Sequence, residues 1–117
     1  MRYAATILSV VLVVLPVTVC AQYTGPYAST ATSVKNLIAH GRDDQPVQLT
    51  GRIVRHVGGE YYEFADATGT IEVEIDDKVW VRGQPVNHTN EVRLTGELER
   101  KWSGRARVDV DRIDVVR

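Results

Sequence analysis

The sequence predicts an all-β domain, a five-stranded OB-fold Greek-key barrel with a short N-terminal helix, preceded by a signal peptide. Three observations carry this reading. Five stretches beyond Pro46 alternate apolar and polar residues with a period of two, the signature of half-buried strands. The first stretch is long and has Gly51 at its centre, where a strand can bend and serve two sheets. Three strands joined by tight turns, then a connector, then a closing hairpin, is the strand order of an OB-fold. An SH3-like barrel is the alternative.

The elements follow in order. Residues 1–21, MRYAATILSVVLVVLPVTVCA, hold one charge, Arg2, then an apolar run and small residues before Gln22, as in a secretory signal peptide cut after Ala21. A membrane anchor is the competing reading, but Pro16 interrupts a run already shorter than the roughly 20 residues that a spanning helix needs. Cys20 admits a lipoprotein, although Val19 stands where such signals carry Gly, Ala or Ser. Residues 22–31 are rich in Gly, Pro, Ser and Thr and read as a flexible linker, with Tyr23 and Tyr27 available to dock on the domain. The folded domain is expected over 32–117.

Thr32 or Ser33 is placed to cap a helix of about two turns in which Val34, Leu37 and Ile38 share a face and Gly41 is the stop. That helix fits as a plug for one end of the barrel. Val47, Leu49, Gly51 and Ile53 then form the inward set of the first strand, and Gly58-Gly59 marks a hairpin. Tyr62 and Phe64 continue the apolar parity, Asp66 to Gly69 is a second turn, and Ile71, Val73 and Ile75 face inward from the third strand. Residues 77–90 are a connector with Trp80, Gly83 and Pro85. Val92, Leu94, Gly96 and Leu98, then a Ser103-Gly104 turn, then Ala106, Val108 and Val110, complete the set. Parity slips near Arg112, which predicts a bulge.

Composition narrows the function. The 117 residues give room for one domain, and 44% hydrophobic with 25% charged residues excludes a disordered tail. The formal charge is -1, and removing Arg2 with the leader makes it -2, so nothing pulls the chain toward nucleic acid in bulk. The single Cys leaves with the leader, which excludes a disulfide framework in the mature chain.

Several segments together resemble the bacterial OB-fold family of exported stress-tolerance proteins, the YgiW/YdeI family. They are Val47-Gln48-Leu49-Thr50-Gly51-Arg52-Ile53-Val54, the run from Tyr62 to Asp76, Lys78 with Trp80, and Val92 to Glu99 followed by Trp102. Two departures lie in the connector: Gly83 comes three residues after Trp80 rather than two, and Asn87 to Asn90 stands where the family often has a proline. The resemblance implies periplasmic location, no enzymatic activity, and a role in stress tolerance.

The residues themselves restrict the chemistry further. On the solvent parity, Glu63, Glu72, Glu74, Asp76, Glu97, Glu99, Asp109 and Asp111 stand against Arg52, Arg93 and Arg107. Such a face repels phosphate, so nucleic acid is not an expected partner. It suits a small cation, because neighbouring carboxylates raise each other's pKa and a cation relieves the repulsion. The blander alternative is a solvated edge neutralised by cross-strand Arg pairs. His40, His56 and His88 are scattered, so no metal site and no cofactor are expected, and no nucleophile motif points to catalysis.

Tyr61 falls on the outward parity, beside Arg52 in this reading. OB-folds commonly bind ligands between the first and last hairpin loops, here His56 to Glu60 and Lys101 to Arg105. Trp102 then sits at the mouth of a site, where an indole stacks on a sugar or a cation. The competing reading has Trp80 and Trp102 capping opposite ends of the core. The candidate ligand-binding set is Arg52, Tyr61, Glu72, Glu74, Trp80, Lys101, Trp102 and Arg105. The expected ligand is a small cationic or saccharide molecule of the envelope, bound by a monomer with no membrane span once the leader is gone. The alternative is a module that pairs with an envelope protein through a strand edge.

Overall fold

The computed structural model describes residues 30–80 and 84–117. The signal-peptide reading, Cys20, most of the linker and Gly83 lie outside the described residues. The elements are β1 (Thr30–Ala31), α1 (Val34–His40), β2 (Pro46–Gly58), β3 (Tyr61–Asp66), β4 (Gly69–Ile75), β5 (Val92–Arg100) and β6 (Ala106–Val115). Strands β2 to β6 close a barrel in the order β2-β3-β4-β6-β5, with β5 returning to β2. Neighbours are antiparallel except for β4 and β6, which run parallel. This is the predicted OB-fold. The short β1 is an addition: the last two residues of the expected linker pair in parallel with Val47 and Gln48.

The 13 residues of β2 serve both sides of the barrel. Pro46 to Gly51 pair with β5, and Arg52 onward pairs with β3. Gly51 is at the changeover because only a glycine fits there: a Cβ would lie 2.2 Å from the Ala65 carbonyl oxygen and 2.8 Å from the Phe64 ring. The β2–β3 turn uses Gly58 and Gly59 at φ 146° and 57°, a region closed to most side chains.

The inward sets pack as the alternation predicts. Leu49, Phe64, Val73, Ile75, Leu94, Leu98 and Val108 are buried, and Val34 and Leu37 of α1 join them from one end. Ile38 departs from prediction: it is 44% exposed, because a two-turn helix presents only its Val34–Leu37 pair to the barrel. Gly41 also differs from the expected left-handed stop. It is extended, at φ -65° and ψ 144°, and is held close to Leu37 and Leu98.

The predicted bulge is present, with Thr95 opposite Arg112 but Gly96 opposite Val110, so that Asp111 is the extra residue. Two further irregularities in β2 take Val57 off the inward parity, so that it is 51% exposed, and Val54, on the outward parity, is 41% exposed.

Asp66 ties the β3–β4 turn to α1. Its Oδ1 accepts from the Thr68 and Gly69 amides at 2.7 and 3.1 Å, and its Oδ2 accepts from the Val34 amide at 2.9 Å. Thr68 Oγ1 takes the Lys35 amide and Ser33 Oγ the Asn36 amide, so the first three amides of the helix are all satisfied. At the other end of α1 the open carbonyls are met by Arg100 of β5. Its guanidinium donates to the carbonyls of Leu37, Ile38 and Gly41 at 3.1, 2.7 and 2.9 Å.

Candidate functional site

The outer faces of β3, β4 and β6 form one charged surface, because outward residues of adjacent strands stand side by side. Register places Tyr61 opposite Glu74 and Glu63 opposite Glu72 across β3 and β4. Across the parallel β4–β6 pair, Glu72 meets Arg107 and Glu74 meets Asp109.

The surface divides into a neutralised part and an uncompensated one. Arg107 Nε donates to Glu72 Oε2 at 2.8 Å, and Arg105 Nη2 reaches the same oxygen at 3.4 Å. Arg55 pairs with Glu63 at 2.9 Å. The Arg107 guanidinium also lies 4.4 Å from the centre of the Tyr61 ring, a cation–π contact. Burial works against the Arg107 charge, but the hydrogen bond and charge of Glu72 outweigh it and hold its pKa above the usual value.

Beyond Arg107 the sign of the surface changes. Glu74 of β4, Glu99 of β5 and Asp109 of β6 each bring a carboxylate oxygen to within 4.8 Å of the other two. Among the described residues none of the three takes part in an ion pair. Glu74 has a raised pKa, chiefly from burial and then from the charges of Asp109 and Glu99, with Arg107 opposing. Asp109 is raised by burial, then by Glu99, Asp111 and Asp76. A carboxylate whose folded-state pKa is raised favours folding below its unfolded value and loses that contribution as pH rises through the folded one. Near neutral pH the ionised forms of Glu74 and Asp109 therefore work against the fold, and a bound cation would remove the repulsion.

A cleft of about 180 Å³ adjoins the trio, lined by Glu99, Lys101, Ser103, Arg105 and Arg107. Of the expected set, Tyr61, Glu72, Glu74, Lys101 and Arg105 lie on this face or at this cleft, with Glu72 already neutralised. Trp102 stands at the tip of the β5–β6 hairpin, 100% exposed, which removes the reading of it as a core cap.

The other two residues are placed apart from that group. Trp80 packs on the core, edge-on to Tyr62 at 5.3 Å, and His56 stacks on the same tyrosine at 4.5 Å. These three help to line a separate groove of about 230 Å³ with Val86 and His88. Arg52 donates through Nη1 to the Thr89 carbonyl and so anchors the connector. The expected adjacency of Tyr61 and Arg52 is corrected by the register: Arg52 pairs with Ala65, whereas Tyr61 pairs with Gly58.

Glu99, Asp109 and Arg107 were legible as outward residues but not as members of one group. The antiparallel β5–β6 hairpin brings those three together, and the parallel β4–β6 pairing adds Glu74, more than thirty positions before Asp109.

Known proteins share both the sequence and the fold. The family model described as "Bacterial OB fold (BOF) protein" matches residues 16–115. The calcium-regulated OB-fold protein CarO of Pseudomonas aeruginosa is 42% identical over 101 residues, spanning 86% of this chain and 85% of CarO. Protein YgiW of Escherichia coli K12 is 39% identical over 85 residues, spanning 73% of this chain and 61% of YgiW. The solved structure of the E. coli protein superposes with a TM-score of 0.70 at 35% identity, covering 79% of this chain and 99% of that structure.

Proposed function

The chain belongs to the bacterial OB-fold (BOF) protein family, and from that premise we propose that it is an exported, non-catalytic binding protein of the periplasm whose ligand is a small cation. The observation that carries this is the convergence of Glu74, Glu99 and Asp109 without a basic partner among the described residues. Three carboxylate oxygens suit a hard cation such as calcium, which takes 6–8 oxygen ligands and accepts water for the remainder. The relative CarO is described as calcium-regulated, which makes calcium the first probe. Export is supported by the leader-like pattern of residues 1–21, and a role in stress tolerance by the family resemblance. Tyr61 stands beside Glu74 across β3 and β4, with Arg107 over its ring.

The open, partly solvated arrangement predicts weak binding, on the order of 10⁻⁴–10⁻³ M, as in extracellular calcium modules. Titration calorimetry with calcium chloride, against sodium chloride at equal ionic strength, checks it. One calcium should bind per chain, and Glu99→Gln should abolish the heat while raising the unfolding midpoint of the cation-free protein. Equal heats for wild type and Glu99→Gln would remove the site from this surface. A spermidine titration shows whether the trio also accepts an organic cation.

A further inference from the structure

The β5–β6 hairpin carries features that cation binding does not use. Its tip holds Trp102 wholly in solvent. Lys101, Ser103 and Arg105 of the same turn line the adjoining cleft. Among the described residues Lys101 has no ion-pair partner, and Arg105, with 66% of its side chain exposed, reaches Glu72 only at 3.4 Å.

The turn is braced. The Lys101 amide donates to the Arg105 carbonyl at 2.9 Å and the Gly104 amide to the Lys101 carbonyl at 2.8 Å. Arg100 Nη1 bonds the Gly104 carbonyl at 3.2 Å while the rest of its guanidinium grips the end of α1. The indole is therefore held out into water by a fixed support.

A tryptophan projecting beside an unpaired lysine and a mostly exposed arginine that only grazes its carboxylate is the composition found at the headgroup level of a bilayer. There the indole enters the interfacial layer and Lys and Arg meet phosphate. We propose that the β5–β6 hairpin docks on an anionic phospholipid surface, with Lys101 and Arg105 taking a headgroup phosphate at the cleft and Trp102 entering the interface. Charge complementarity selects this occupant: a cationic ligand is repelled by Lys101 and Arg105, and a neutral sugar gives them nothing to neutralise. The Ser103 hydroxyl adds a phosphate donor. Glu99 is the one acidic residue of the wall, and its carboxylate lies within 4.8 Å of those of Glu74 and Asp109. Docking does not depend on the cation site, so a calcium chelator is kept in the assay.

The test is co-sedimentation of the purified chain, its terminus fixed by intact mass, with vesicles. One set is phosphatidylcholine alone and the other an equal mixture with phosphatidylglycerol. A Trp80→Phe background isolates the emission of Trp102. Binding should favour the anionic vesicles, shift that emission to the blue, and protect it from iodide quenching. The double variant Lys101→Gln/Arg105→Gln should weaken partition about thirtyfold and Trp102→Ala should weaken it as well, with unfolding midpoints unchanged because these side chains are exposed. Equal partition into both vesicle types, or binding that either variant leaves intact, would overturn the proposal. So would inorganic phosphate binding at the cleft without any vesicle partition, which would mark a site for free anions.

Discussion

Asp66 shows how much of this domain depends on single side chains. One carboxylate closes the β3–β4 turn and caps α1. Burial pushes its pKa up, but the bonds from Thr68, Val34 and Gly69 prevail and leave it below the usual carboxylate range. A lowered folded-state pKa contributes stability that is present above the unfolded value and lost as pH falls through the folded one. Asp66→Ala should cost about 1–2 kcal/mol near neutral pH, and the gap to wild type should narrow in acid; urea unfolding across pH measures both. The turn at Asp66 was legible in the sequence, but the cap was not. Its partner amide at Val34 is 32 positions away, and only the closed barrel brings the two together.

At the scale of elements, period-two alternation located all five barrel strands because each has one dry face and one wet face. The bend in β2 was legible from Gly51, since glycine in a strand marks a close approach. Gly51→Ala should destabilise the domain by about 2–3 kcal/mol, because the new methyl meets the Ala65 carbonyl and the Phe64 ring. A stability within error of wild type in chemical denaturation would show that β2 can bend elsewhere. The two irregularities in β2 were not legible. Val57 shares the inward parity of Val47, Leu49 and Ile53, and the irregular pairing against β3 sends it outward. Hairpin order separates Tyr61 from Arg52: Tyr61 pairs with Gly58 beside the turn, and Arg52 with Ala65 four residues further along β3.

At the scale of the whole molecule, an excess of outward carboxylates over guanidiniums is legible in the strand alternation. Its division was not visible. Arg107 neutralises Glu72, which Arg105 reaches only at 3.4 Å, and Arg55 neutralises Glu63, which leaves the uncompensated charge at Glu74, Glu99 and Asp109. Closure of the barrel is what turns an evenly acidic sequence pattern into one concentrated group beside a basic hairpin. Carboxyl-carbon NMR during a calcium titration tests this most directly, because it reads each acid separately. The resonances of Glu74, Glu99 and Asp109 should move together along one binding curve while those of Glu63 and Asp111 stay still. Shifts spread evenly over all the outward acids, or none at the three, would contradict a cation site on this face.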